Sequence, residues 1–276
     1  MTRRAAASPR WRLLETGARP AAWNMACDSA LLDAAGDSDF PPTLRLFEWD
    51  PPAVSLGHHQ ADLTAEEAAL LRDRGVDWVR RPTGGRAVFH GGPERELTYS
   101  VVAPLSEPAL GLGLADSCRA IHRAVAAGLS ALGIDVDLAG RPSSGGRRGG
   151  LGGDGTLRPT SRRACFDAAV PSEIEAAGRK LVGSAQRRSR TALLQHGSIP
   201  LNGDQSLLAE IWPGSLGRGT STTVSEAAGR RVASDELAGS LRAAFEQWLG
   251  AGLEPGALTD REIASIDALC GSPAIA

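Results

Sequence analysis

A chain of 276 residues, 42% of them hydrophobic, can bury a full core, and its formal net charge of −2 gives no global nucleic-acid signature. Its four cysteines (Cys27, Cys118, Cys165, Cys270) lie far apart without a CxxC pair, which argues against a disulfide framework or a zinc site and predicts reduced thiols and no metal. The basic stretch from Met1 to Arg10 has no apolar run behind it, and nothing approaches the roughly 18 apolar residues of a membrane span, so a cytoplasmic setting without membrane attachment is expected.

In chain order, Asn24 to Ala35 reads as a helix with Met25, Leu31 and Leu32 inward. Thr64-Ala65-Glu66-Glu67 is a capping box opening a second helix that Gly75 closes. Residues 76–81 and 97–103 read as strands flanking a glycine-rich loop. Leu114 to Leu132 carries Ile121, Val125, Leu129 and Leu132 at helical spacing and ends at Gly133. Residues 140–155 hold eight glycines, too little apolar surface to order themselves, which predicts a mobile loop over about 140–160. Short strand-like runs follow over 173–201, and Ser234 to Leu249 closes with an amphipathic helix bearing Leu237, Leu241, Phe245 and Trp248. Irregularly interleaved strands and helices predict an α+β fold on a mixed, largely antiparallel sheet with flanking helices. One catalytic domain over 11–250 and a short helical extension over 251–276 are expected.

Three features carry chemistry. The chain has one lysine, Lys180, against 29 arginines. An ammonium is a compact charge that can lose its proton where a guanidinium cannot, so position 180 is expected to need that property. The segment Arg80-Arg81-Pro82-Thr83-Gly84-Gly85-Arg86-Ala87-Val88-Phe89-His90 puts two glycines at a strand end, where the backbone can approach a ligand. Cys165 precedes Lys180 by fifteen residues, and Gln195-His196-Gly197-Ser198 follows. An ammonium about 4 Å from a thiolate is worth at most ~4 kcal/mol at an effective dielectric near 20, enough to bring a thiol toward neutral pH. His196 reads as a base, an electrophile or a structural histidine. Gly150-x-Gly152-x-x-Gly155 formally matches a dinucleotide fingerprint but lacks the strand and helix around it.

Together these segments resemble the family of lipoate–protein ligases, biotin ligases and octanoyltransferases. Trp11 to Asp28 is similar to its opening strand and helix, and Leu44 to Gln60 to its next hairpin. Arg80–His90 and Gly178–Gln186 resemble its two acyl-binding motifs, and the similarity covers nearly the whole chain. Arg86 stands where ligases usually have a third glycine, the tail is too short for the ligases' additional domain, and Ala164-Cys165-Phe166-Asp167 resembles the nucleophile segment of cysteine-dependent octanoyltransferases. The family usually has an acidic residue after the loop histidine, but His90 is followed by Gly91-Gly92-Pro93. The resemblance implies a biotin/lipoate ligase-like catalytic domain. It implies transfer of octanoyl from octanoyl-acyl carrier protein, the donor, to a lysine of a lipoyl-domain protein such as glycine cleavage H protein, without a cofactor. Cys165 and Lys180 would be catalytic. Substrate would be bound by Arg80, Arg81, Gly84, Gly85, Arg86, His90, Gly183, Ser184, Ala185, His196 and Gly197. Arginines 141, 147, 148, 158, 162 and 163 would meet the carrier. An octanoyl amidotransferase between lipoyl-domain proteins, an ATP-dependent lipoate–protein ligase and a non-catalytic carrier-binding module are the alternatives.

Overall fold

The computed structural model describes residues 10–138, 174–203, 205–213, 220–250 and 252–270. Cys165, the Gly/Arg-rich segment and its arginines lie outside these. The elements are β1 (Arg10–Arg19), α1 (Ala21–Ala34), β2 (Thr43–Trp49), β3 (Ala53–Leu56), α2 (Ala65–Asp73), β4 (Asp77–Arg80), β5 (Val88–His90), β6 (Glu96–Pro104), α3 (Leu114–Ala131), β7 (Val136–Leu138) and β8 (Ile174–Ala176). Then come β9 (Arg179–Arg188), β10 (Ala192–Pro200), α4 (Ser206–Ile211), α5 (Val224–Ala228), α6 (Ser234–Leu249), β11 (Gly252–Pro255) and α7 (Asp260–Cys270).

Eight strands form one mixed sheet in the order β11-β1-β2-β6-β10-β9-β8-β7, parallel at β11–β1–β2 and antiparallel elsewhere. The α+β reading therefore holds. Helices cover both faces, so β6 and β10 are buried almost throughout and read as near-continuous apolar runs. On one face Tyr99, Val101 and Ala103 pack against Ile121, Val125 and Leu129 of α3 and Leu237, Leu241 and Phe245 of α6. A Cβ on Gly128 would sit 2.9 Å from Leu241 Cδ2, so glycine there lets α3 and α6 approach closely. On the opposite face Phe47, Val102 and Leu194 meet Met25, Ala26 and Leu31 of α1, joined by Ile266 of α7. Beside α1 sits a second, three-stranded sheet, β4-β3-β5.

The Thr64 capping box forms in both directions, Glu67 N–H to Thr64 Oγ1 at 3.2 Å and Thr64 N–H to Glu67 Oε2 at 2.7 Å. The expected Leu44–Gln60 hairpin does not form. β2 pairs with β1 and β6 in the large sheet, while β3 leaves to pair with β4 and β5 in the small one. Asp50-Pro51-Pro52 separates them, and prolines suit a chain leaving a sheet because they cannot donate to a ladder. Residues after 250 add β11 to the edge of the large sheet and pack α7 on α1. Among the described residues no helix is long and apolar enough to cross a membrane.

Candidate active site

The site lies where the α1 face of β6, β9 and β10 meets the small sheet. A cleft of about 360 Å³, counted to its open mouth, is lined by apolar Met25, Trp49 and Val88, the backbone of Gly183-Ser184-Ala185, and a set of polar side chains. The chain brings Arg81, His90, Gly183, Ser184, Ala185, His196 and Gly197 together there, as expected from their motifs.

The Arg80–His90 loop is held from within. Arg81, buried, donates to the Ser55 carbonyl at 3.0 Å, the Gly84 carbonyl at 2.7 Å and the Arg86 carbonyl at 2.8 Å. Arg80 donates to the Gly57 carbonyl at 2.9 Å and the Gln60 carbonyl at 2.8 Å and pairs with Asp62. Both arginines thus give guanidinium protons to the chain's own oxygens, with geometry that a forked donor provides. Arg80, Gly84, Gly85 and Arg86 do not line the cleft, and the Gly84 and Arg86 carbonyls are tied to the lining residue Arg81. A Cβ on Gly57 would fall 1.9 Å from the Gly85 carbonyl oxygen, and Gly85 has φ +94, so both glycines are needed for the loop to seat on β3.

Two histidines hold the wall. The carboxylate of Asp28 on α1 can only accept, so His196 Nδ1 donates to Asp28 Oδ2 at 2.9 Å and His196 Nε2 accepts from Thr83 Oγ1 at 2.6 Å. Behind Asp28 lies Arg45, with Nη1 at 2.8 Å from Asp28 Oδ1, and Ser100 Oγ at 2.9 Å from the same oxygen. Arg45, Asp28, His196 and Thr83 therefore form one buried line from the core to the loop. Both nitrogens of His196 are engaged within it, which fixes the orientation of the ring and, in the neutral imidazole, its tautomer. Burial lowers the His196 pKa, and Asp28's opposing pull does not reverse this, the nearby Arg81 and His90 acting in the same direction as burial. Burial alone would raise Asp28, but the bond from His196 and the Arg45 charge outweigh it and hold the carboxyl low.

His90 is fixed in the same way. Its Nδ1 donates to Glu96 Oε1 at 2.6 Å, its Nε2 accepts from Ser55 Oγ at 2.9 Å, and its ring stacks on Trp49 with centroids 3.8 Å apart. Glu96, at the start of β6, supplies an acidic partner from six residues away in place of the missing neighbour after the histidine. Thr98 links Glu96 to Trp49, donating at 2.8 Å and accepting at 2.8 Å.

Ser184 Oγ bonds Tyr99 OH at 2.8 Å across the sheet. A Cβ on Gly197 would sit 2.5 Å from Tyr99 Cε1 and 2.8 Å from Ser184 Oγ. Gly197→Ala is expected to cost about 1–3 kcal/mol through overpacking and to part that bond; urea denaturation with an unchanged midpoint would contradict this.

The His196 environment also fixes a pH dependence. The unfolded imidazole takes up a proton near pH 6.5 that the folded one resists, so stability is full above about pH 6.5 and declines as pH falls below it. Asp28 and Glu262, both held low, add losses of the same sign as pH falls further through the carboxylate range. Urea midpoints from pH 7.5 to 5 should therefore fall, and His196→Gln should flatten that slope; an equal slope in both proteins would contradict the assignment.

Lys180 is buried on β9, three residues before Gly183. Its N–H donates to the Thr220 carbonyl at 2.9 Å and its carbonyl accepts from Thr222 N–H at 2.9 Å, so the backbone at 180 is pinned from both sides. It does not line the cleft. Three described cysteines stand away from the cleft as well. Burial pushes the Cys27 thiol up to about 11 and raises Cys118 and Cys270, so none of them is a thiolate at neutral pH.

Sequence reasoning missed Asp28, Arg45, Thr83 and Glu96, and the lining residues Met25, Trp49, Ser55, Val88, Thr98 and Ser198. A signal existed for some of them. Arg45 interrupts the apolar strand Thr-Leu-Arg-Leu-Phe-Glu-Trp, and Asp28 falls among Met25, Ala26, Cys27 and Leu31 on a buried helix, and charges in such places require partners.

Residues 20–246 match the family model of the lipoyl protein ligase A/B catalytic domain. Among curated proteins, the octanoyltransferase LipM of Symbiobacterium thermophilum is 42% identical over 262 residues, covering 91% of each chain. That of Kyrpidia tusciae is 40% identical over 262 residues, covering 91% of this chain and 92% of its own. Solved structures share the fold. A lipoate-protein ligase A bound with ATP superposes with a TM-score of 0.74 at 22% identity, covering 96% of both chains. A bi-partite lipoate protein ligase of Thermoplasma acidophilum gives 0.70 at 21%, covering 96% of this chain and 93% of its own.

Proposed function

The chain belongs to the lipoyl protein ligase A/B catalytic-domain family, and on that premise we propose that it is an octanoyltransferase of protein lipoylation. It takes octanoyl from octanoyl-acyl carrier protein and passes it to one lysine of a lipoyl-domain protein such as glycine cleavage H protein, in the cytoplasm. Residues 11–250 are the catalytic unit, and the short extension after them adds β11 to its sheet as well as helix α7.

The observation that carries the geometric side is the cleft, whose polar lining side chains, Ser198 apart, hold partners inside the protein and so present a largely apolar wall to an acyl tail. Burying the seven carbons beyond an octanoyl carbonyl, at about 0.8 kcal/mol per carbon, supplies about 6 kcal/mol toward binding. Cys165 thiolate attacks the donor thioester, releasing the carrier thiol, so one thioester replaces another and no ATP is consumed. The acceptor amine then attacks the Cys165 thioester, forming the amide and freeing the thiol. Lys180 favours the thiolate as a cation and takes the amine's proton when neutral. Raised thiols at the other three cysteines support Cys165 in that role. β8 pairs only with β9 residues up to Val182, so alternate N–H groups of 183–185 have no strand partner on that side among the described residues, which supports their use as oxyanion donors. The substrate-binding wall is Arg81, His90, Gly183, Ser184, Ala185, His196 and Gly197, with Arg80, Gly84, Gly85 and Arg86 supporting it.

The test is a choice of donors with a purified lipoyl domain as acceptor. Octanoyl-carrier protein alone should acylate it, and octanoyl-lipoyl domain or octanoate with ATP should not. Transfer only from the second donor would make the chain an amidotransferase, and transfer only from the third a ligase.

A further inference from the structure

Ser198 breaks the pattern of the cleft wall. Ser55, Arg81, His90, Thr98, Ser184 and His196 each hold a hydrogen-bond partner inside the protein. Ser198 lines the same cleft with 4% of its surface exposed, and its Oγ is buried with no partner among the described residues. A buried hydroxyl without a partner costs free energy, and its presence in a wall whose other polar side chains are engaged marks where a polar atom of the occupant sits.

Its position along the sheet identifies that atom. Ser198 and His196 are alternate residues of β10 on one face, and β10 runs antiparallel to β9, with Ser198 opposite Gly183 and His196 opposite Ala185. Lys180 lies three residues beyond Gly183 on the Ser198 side, about 10 Å away by strand rise. Among the described residues, the cleft therefore has its one uncommitted side-chain donor toward Lys180 and its closed histidine wall farther in. An acyl chain has one polar atom, its carbonyl oxygen, at the reacting end.

Resting on the octanoyl reading above, we propose that Ser198 Oγ donates a hydrogen bond to the acyl carbonyl oxygen of the bound octanoyl group. Ser198 thereby sets the depth at which the chain stops, holding the carbonyl at the Lys180 end while the tail fills the cleft toward His196 and Met25. It is a substrate-orienting residue that the loop motifs do not include.

Calorimetry on the full chain with two unreactive probes tests this: an octanoyl amide, which carries the carbonyl, and the matching octyl thioether, which lacks it. Ser198→Ala should weaken the amide about tenfold, leave the thioether within about twofold, and not lower the melting temperature, since the lost hydroxyl has no partner among the described residues. Equal weakening of both probes, or a fall in melting temperature, would make the hydroxyl structural and overturn the proposal. Unchanged binding of both probes would overturn it while leaving the octanoyl reading intact. A wild-type protein that binds neither probe would overturn the octanoyl reading, and this proposal with it.

Discussion

Cys165→Ala is expected to lower octanoyl transfer on the order of 10³-fold or more while leaving the melting temperature unchanged, with Lys180→Arg close behind it. Removing a covalent nucleophile deletes the two-step route altogether, and residues acting as one unit lose nearly everything singly. Lys180→Arg separates charge from proton chemistry. A guanidinium keeps the positive charge that favours a thiolate but cannot release a proton near neutral pH. Octanoylation of Cys165 should therefore survive in Lys180→Arg better than delivery to the acceptor amine does, which single-turnover mixing would resolve. The backbone at position 180, bonded to Thr220 and Thr222, and the burial of its side chain give a longer, forked replacement little room, so circular dichroism and melting must accompany the kinetics. Wild-type turnover in a folded Lys180→Arg protein would remove Lys180 from the chemistry.

The second large effect is on stability. Arg45 and Asp28 are a fully buried pair, with side chains at 0% exposure and Nη1–Oδ1 at 2.8 Å. Arg45 also donates to Thr16 Oγ1 at 3.0 Å, to the Asn24 carbonyl at 3.1 Å and to the Asn24 side chain, and its guanidinium lies 3.8 Å from the Phe47 ring centre. Such a pair adds little net stability over an apolar substitute, but breaking it strands a charge. Arg45→Met should cost about 3–5 kcal/mol, a large part of the 5–15 kcal/mol that holds a typical domain. Arg45→Lys should rescue little, because one ammonium cannot span the partners the fork reaches. Adding Asp28→Asn to Arg45→Met should return part of the loss, since the stranded carboxylate is then neutral, and a double-mutant cycle measures that coupling. Strictly additive losses would show that the pair does not act as a unit. Functionally the same lesion should loosen the loop, because Asp28 orients His196 and His196 holds Thr83.

What the sequence made legible follows from how local each signal is. The α6 span, Ser234–Leu249, and the Thr64–Glu67 capping box depend on residues within one or two turns and both appear as read, although Trp248, read onto the face of Leu237, Leu241 and Phe245, is exposed. Seven of the expected binding residues meet in one cleft because their motifs sit at strand ends that the sheet order brings together. The Leu44–Gln60 hairpin failed because two adjacent apolar runs carry no label saying which sheet each joins. Glu96 serving His90, and Arg45 serving Asp28, were hidden for a related reason. A charge inside an apolar run says that a partner exists, but the partner's identity depends on packing between elements.

The most direct test of the account is the intact mass of the protein after mixing with octanoyl-carrier protein in the absence of ATP. The account predicts a single octanoyl adduct that hydroxylamine removes, that passes to an added lipoyl domain, and that is absent in Cys165→Ala. Octanoylation of the lipoyl domain at full rate by Cys165→Ala, without any adduct on the enzyme, would contradict it.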